Sequence, residues 1–261
     1  MYYGCKKEIK DLRDYKYYIP SVKTVHYPNS YEITIPSVKD QGIVNSCVAH
    51  SLASFLEETY KQEGLNFSTG FIYGYRPNNY SQDEGMYPRQ ALKTLLKVGD
   101  VLKEDFDYNQ EMPTIKKLVD ENLDSLKNVA SKHRIYSFAR VYTPSEIKEI
   151  LYNDITVPIS IPVYNNLHYD EKTFIIQEPC GNCEGYHMVL VVGWNEQGFI
   201  IQNSWGKHWG NNGRAILPYK YPIDTAWAIA TSENNIYTYT TIWQKIFSKI
   251  LKIIAKLKNK M

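Results

Sequence analysis

Apolar residues recur at helical spacing in the first half of this chain and gather into short unbroken runs in the second. Within residues 46–61, Val48, Leu52, Phe55 and Leu56 fall on one stripe, which predicts a helix. A loop rich in Gly, Asn, Tyr and Pro fills residues 64–86, and a second helix is expected over 88–97, closed by Gly99. Ile115, Leu118, Val119, Leu123 and Leu126 predict a third over 113–126. Thr143-Pro144-Ser145-Glu146 has the residues of a capping box with proline at the first helical position, so a short helix should run to about residue 152. The period then changes. Runs at 155–163, 187–194, 199–202, 214–217 and 226–231, β-branched and separated by turns at 195–198 and 211–213, predict strands. A helical half followed by a strand-rich half is an α+β order, and two such halves leave a cleft between them.

Length and composition bound this picture. A chain of 261 residues suits one large domain or two halves sharing a core, and 43% hydrophobic with 22% charged residues is a soluble globular composition. The net charge is +2, yet residues 241–261 hold six lysines and no acid, so the remaining body is mildly acidic. That argues against binding nucleic acid through a basic surface. In the tail, Ile242, Ile246, Ile250, Ile253 and Leu257 share a stripe while Lys245, Lys249, Lys252 and Lys256 face away. Such a basic amphipathic helix packs on its own body or a partner subunit, or makes peripheral contact with an anionic membrane; the lysine segregation motivates the second reading. No run is long enough to span a bilayer. The first residues carry charges with no apolar core behind them, unlike a secretory signal, so the expected place is cytoplasmic or at a membrane surface.

Four cysteines, Cys5, Cys47, Cys180 and Cys183, are too few for a disulfide-built scaffold. Cys180 and Cys183, in a Cys-x-x-Cys pair, are expected as free thiols; a local disulfide is the alternative, and no second pair exists to close a metal site. Cys47 stands at the start of the first helix, where unpaired N–H groups and the dipole favour thiolate. A thiolate needs a base beside it, and His187, where a loop enters a strand, is the best candidate. Asn203, at the end of the next strand, can fix the imidazole's orientation, and the turn at 195–198 makes a hairpin that brings the two together.

With these residues in view, the chain resembles papain-like cysteine peptidases. Gln41-Gly42 stands ahead of Cys47 where the family has its oxyanion-hole glutamine, and Asn203 opens Asn-Ser-Trp-Gly-Lys-His-Trp-Gly, close to the family's block around its asparagine. The resemblance covers roughly residues 33–232 and implies a two-lobed fold, helical on one side and β-barrel-like on the other. It divides the chain into an arm (1–32), a helical half (33–127), a strand-rich half (128–232), and a linker with the basic helix (233–261). It implies a peptidase acting on peptide or protein substrates without cofactor or metal, with Cys47 as nucleophile held as thiolate against protonated His187. Asn203 would orient that imidazole, Gln41 would help stabilise the oxyanion, and Trp205 would cover the His187–Asn203 bond. Gly85, Met86, Tyr87, Pro88 and Tyr186 would line substrate pockets, Trp209 the leaving-group side, and an apolar or aromatic side chain is expected two residues before the cut.

The departures are equally specific. Val44 replaces a family cysteine, Val48 a tryptophan, and the Gly-Gly substrate strand is reduced to Glu84-Gly85. With only a short stretch ahead of Gln41, the chain is more similar to the prodomain-poor microbial or viral members. Residues 1–30 are expected as an extra strand on the strand-rich half, the alternative being a minimal inhibitory segment across the cleft. A catalytically decayed binding module and a thiol acyltransferase are the rival functions.

Overall fold

A computed structural model describes residues 3–17, 26–77, 84–107, 112–164 and 167–231. Helices lead and strands follow: β1 (Tyr31–Glu32), α1 (Cys47–Thr59), α2 (Thr69–Gly74), α3 (Pro88–Lys97), α4 (Met112–Glu121) and α5 (Leu123–Ala130), then β2 (Ser137–Val141), α6 (Pro144–Tyr152), β3 (Val157–Tyr164), β4 (Cys183–Trp194), β5 (Gly198–Gln202), β6 (Arg214–Pro218) and β7 (Thr225–Ala230). This is the α+β order expected from the residues.

The stripe on α1 does what its spacing requires. Leu52, Phe55 and Leu56 are fully buried, each a contribution of about 1.5–3 kcal/mol. The burial extends round the helix to Ser51, Ser54, Glu57 and Glu58, because α1 runs between β3 and β4 on one side and α2 and α3 on the other. A helix so enclosed holds its first residue, Cys47, in a fixed place at the base of the cleft.

Two expected elements differ. The single helix expected over 113–126 is broken at Asn122, whose side-chain Nδ2 donates back to the Leu118 carbonyl at 2.8 Å. The Asn122 N–H shares that carbonyl at 3.2 Å, and the Asn122 carbonyl accepts from the Leu126 N–H at 3.0 Å, opening α5. The loop expected over 64–86 contains α2, whose glycines hid it; Ser68 caps it by accepting from the Phe71 N–H at 3.0 Å. The capping box at Thr143 and Glu146 is present in both directions.

The sheet is antiparallel, in the order β2-β7-β3-β4-β5-β6. The register sets Ile161 opposite His187, and Ser160 opposite both Met188 and Thr225. β1 pairs with β4 at Gly193 and Trp194.

The arm does more than add a strand. Residues 3–17 lie across the cleft: Cys5 bridges Tyr186 of β4 on one wall and Met86, just before α3, on the other, and Lys16 bridges Arg140 of β2. Arg89 of α3 ties the arm down. Its guanidinium pairs with Glu8 at 2.5 Å and with Asp14 at 2.6 Å, and its backbone N–H donates to Glu8 at 2.7 Å. All three side chains are largely buried, the setting in which breaking an ion pair costs about 3–5 kcal/mol. The basic segment 241–261 lies outside the described residues, and among those described no helix is long and apolar enough to cross a membrane.

Candidate active site

The segment before α1 is pinned from several sides. Ser37 and Lys39 both donate to the buried Glu57 carboxylate, at 2.7 and 2.6 Å. The Gln41 N–H donates to the Ser204 carbonyl at 2.8 Å, and the Gly206 N–H to the Lys39 carbonyl at 3.0 Å. The stretch carrying Gln41 is thus laced to the loop carrying Asn203, although the two are far apart in sequence. The Gln41 side chain is 1% exposed; its Oε1 accepts from Ser204 Oγ at 2.7 Å and its Nε2 donates to the Val44 carbonyl at 2.8 Å.

His187 sits on β4 with its Nε2 2.7 Å from Asn203 Oδ1, so Nε2 carries the proton donated to that oxygen. Asn203 Oδ1 also accepts from the Ser204 N–H at 2.7 Å, which fixes the amide's orientation. The opposite ring nitrogen, Nδ1, is buried with no hydrogen-bond partner among the described residues. Trp205 stacks on the imidazole at 4.7 Å, and Trp209 stands edge-on to Trp205 at 5.5 Å. Cys47, the first residue of α1, has backbone N–H groups of Met188, Gly4 and Val48 directed at its sulfur.

One of those donors belongs to the arm. Gly4 passes so close over the site that a Cβ there would stand 1.8 Å from the Asn45 carbonyl oxygen. The arm bonds to both walls as an inserted strand: Met86 N–H to the Gly4 carbonyl at 2.8 Å, Lys6 N–H to the Met86 carbonyl at 3.0 Å, Cys5 N–H to the Tyr186 carbonyl at 3.2 Å. Tyr3 lies edge-on to His187 at 6.3 Å. Gly85, at φ +74°, allows this approach, since a Cβ there would meet the Gly4 carbonyl oxygen at 2.2 Å.

A sequence profile of papain family cysteine proteases matches residues 23–221. The chain belongs to the papain family of cysteine proteases. A peptidase C1-like protein of Acanthamoeba polyphaga mimivirus is 28% identical over 212 residues, covering 74% of this chain and 68% of that one. The viral cathepsin of Heliothis zea nuclear polyhedrosis virus is 25% identical over 189 residues, 69% of this chain but only 48% of its own length. Among solved structures, xylellain, a cysteine protease from Xylella fastidiosa, superimposes with a TM-score of 0.77 at 27% identity, covering 88% of this chain and 96% of that one. The fold is papain-like.

Of the residues expected at the chemical centre, His187 joins Asn203 beneath Trp205, Gln41 joins the same loop through Ser204, and Cys47 opens α1, which packs on β4. Of the expected pocket residues, Gly85, Met86 and Tyr186 touch the arm directly. Tyr87 is half-buried ahead of α3, with the Lys6 ammonium 5.8 Å from its ring, and Pro88 is buried as the first residue of that helix. Trp209 is 8% exposed, its ring edge-on to Tyr169 as well as Trp205. Cys180 and Cys183 are free and exposed. Gly4, Cys5 and Ser160 were not anticipated at the site; Ser160 was legible as one of two hydroxyls, with Thr156, in the apolar run 155–163.

Burial acts against the charged pair that the family resemblance implies. Burial pushes the Cys47 thiol up to about 12, outweighing the N–H groups aimed at it, and burial lowers His187 to about 4 against the opposing hydrogen bond with Asn203. Both groups are 0% exposed, and burial disfavours the charged form of each.

His50, one turn along α1, is likewise buried and lowered to about 4, its Nδ1 3.0 Å from the Ser46 carbonyl. Its depressed value means that the unfolded chain takes up a proton near 6.5 that the folded one refuses. The stability this gives is complete above 6.5 and lost as the pH falls towards 4, on the order of 3 kcal/mol. A His50→Gln variant should therefore lose less stability than the parent between pH 6.5 and 4, read from urea midpoints at each pH.

Proposed function

We propose that this chain is a peptidase that cleaves peptide bonds through a Cys47 thioester, and that its arm holds it closed. The observation that carries the first part is the His187 ring: Nε2 is committed to Asn203, Trp205 covers one face, and Nδ1 is left for proton transfer. In the open enzyme the Cys47 proton passes to Nδ1 as the sulfur bonds to the peptide carbonyl carbon. The carbonyl oxygen becomes an oxyanion that accepts from the Cys47 N–H and the Gln41 Nε2 amide; donors so placed contribute about 2.7–4 kcal/mol each. Collapse breaks the C–N bond, and the leaving amine takes the Nδ1 proton. Water then adds to the thioester, giving a proton to Nδ1, and the thiol leaves with it.

Three features support the closed state. The arm fills both walls of the cleft, its backbone donates to the sulfur, and its cover strips the water that an ion pair needs. Its direction also matters. Tyr3 lies on the Trp205 side, taken here as the leaving-group side, and Cys5 lies on the Met86 side, taken as the acyl side. A substrate runs the other way, from acyl to leaving side, so the arm is seated in reverse and presents no bond correctly to Cys47.

An epoxide inhibitor of cysteine peptidases tests the reading. Cys47 should be alkylated, slowly in the intact chain and faster once the arm is displaced, and a Cys47→Ala variant should take up no label and hydrolyse no peptide. Equal hydrolysis by Cys47→Ala would refute the nucleophile. Amine transfer exceeding hydrolysis would favour an acyltransferase.

A further inference from the structure

β3 opens Val157-Pro158-Ile159-Ser160-Ile161-Pro162-Val163, apolar except at one position, and closes on Tyr164. Ser160 is 0% exposed, and a hydroxyl so placed needs a partner. Its partner is the arm: Cys5 Sγ lies 3.1 Å from Ser160 Oγ. Cys5 is itself only 5% exposed, so its side chain fills a pocket whose wall is Met86 and whose floor is β3.

The floor holds a second hydroxyl. Register places Thr225 of β7 and Met188 of β4 directly opposite Ser160 on its two sides, so the three side chains form one row on one face of the sheet. Thr225 is 2% exposed, and its Oγ1 has no hydrogen-bond partner among the described residues. When the arm leaves, both hydroxyls stand in a dry floor without a protein partner. An aliphatic side chain entering there leaves them unpaired, whereas a short side chain that can donate and accept restores what Cys5 supplied. Met188, long and 0% exposed, occupies the third place in the row and limits depth.

We infer that Ser160 and Thr225 determine specificity, and that this pocket selects a small hydroxyl- or thiol-bearing residue two positions before the cut. This rests on the peptidase reading above and replaces the apolar or aromatic preference expected from Met86, Tyr87, Pro88 and Tyr186. A pocket built around a hydrogen bond discriminates strongly against an isostere that lacks it.

Two experiments separate the inference from the reading beneath it. In a full-length Gly4→Ala chain, peptides differing only at that position should be cleaved with kcat/KM at least about tenfold higher for Thr than for isosteric Val, and Ser160→Ala should erase the ratio. Leu, Phe or Arg preferred over Thr, or a Thr:Val ratio unchanged in Ser160→Ala, overturns it. The second needs no catalysis. In the otherwise native chain, Cys5→Ser should protect Cys47 from iodoacetamide as the parent does, while Cys5→Val should speed its modification about tenfold, read by mass spectrometry of the Cys47 peptide. Equal protection by Val overturns the inference even in a chain that cleaves nothing.

Discussion

Replacing Gly4 by alanine is expected to raise both Cys47 alkylation and peptide hydrolysis by ten- to a hundredfold. The argument is steric. The added Cβ would stand 1.8 Å from the Asn45 carbonyl oxygen, which is backbone of the segment leading into α1 and cannot swing aside. The arm must lift instead, and a penalty of only about 1.4 kcal/mol on the closed state raises the open fraction tenfold. Lifting also lets water reach Cys47 and His187, removing the burial that holds them at about 12 and about 4 and permitting proton transfer between them. Parent and variant should therefore differ in the initial rate of iodoacetamide uptake at Cys47 and in turnover of a fluorogenic peptide. Identical rates would mean that the arm is not seated in solution as described.

Removing the base has a larger effect in the opposite direction. In the Gly4→Ala background, His187→Ala should lower kcat by roughly 10⁴ to 10⁶, the scale seen when one member of a nucleophile–base pair is lost. Because the two act as one unit, adding Cys47→Ala to His187→Ala should cost little more. Asn203→Ala should fall between, since it removes the acceptor that fixes Nε2 and leaves both reacting groups in place. A His187→Ala enzyme retaining a tenth of its rate would assign the proton transfer to another group.

Much of this site was legible in the residues and some was not, for physical reasons. The helix carrying Cys47 has a clear apolar stripe, and the strands that carry His187 and lead into Asn203 are bounded by turn residues, so the elements and the α+β order could be read locally. α2 escaped because glycines at both its ends diluted the helical signal, leaving Ser68 as the only cue. The break at Asn122 escaped because the apolar spacing runs on through it, and only this one residue separates α4 from α5. The arm was harder still. Gly4 and Cys5 make contacts almost wholly with residues far along the chain, so periodicity carries no trace of them. The burial that acts against ionisation of the pair is likewise non-local, whereas the helix end that favours it is local.

A strand that lies backwards over a thiol cannot be trimmed by that thiol. On the reading proposed here, a cut made in residues 3–17 while the arm stays seated requires a second molecule, so that reaction is bimolecular in protein. Its early rate grows with the square of concentration, and each trimmed copy recruits others. A dilute sample stays silent for a long lag, while a concentrated one ignites.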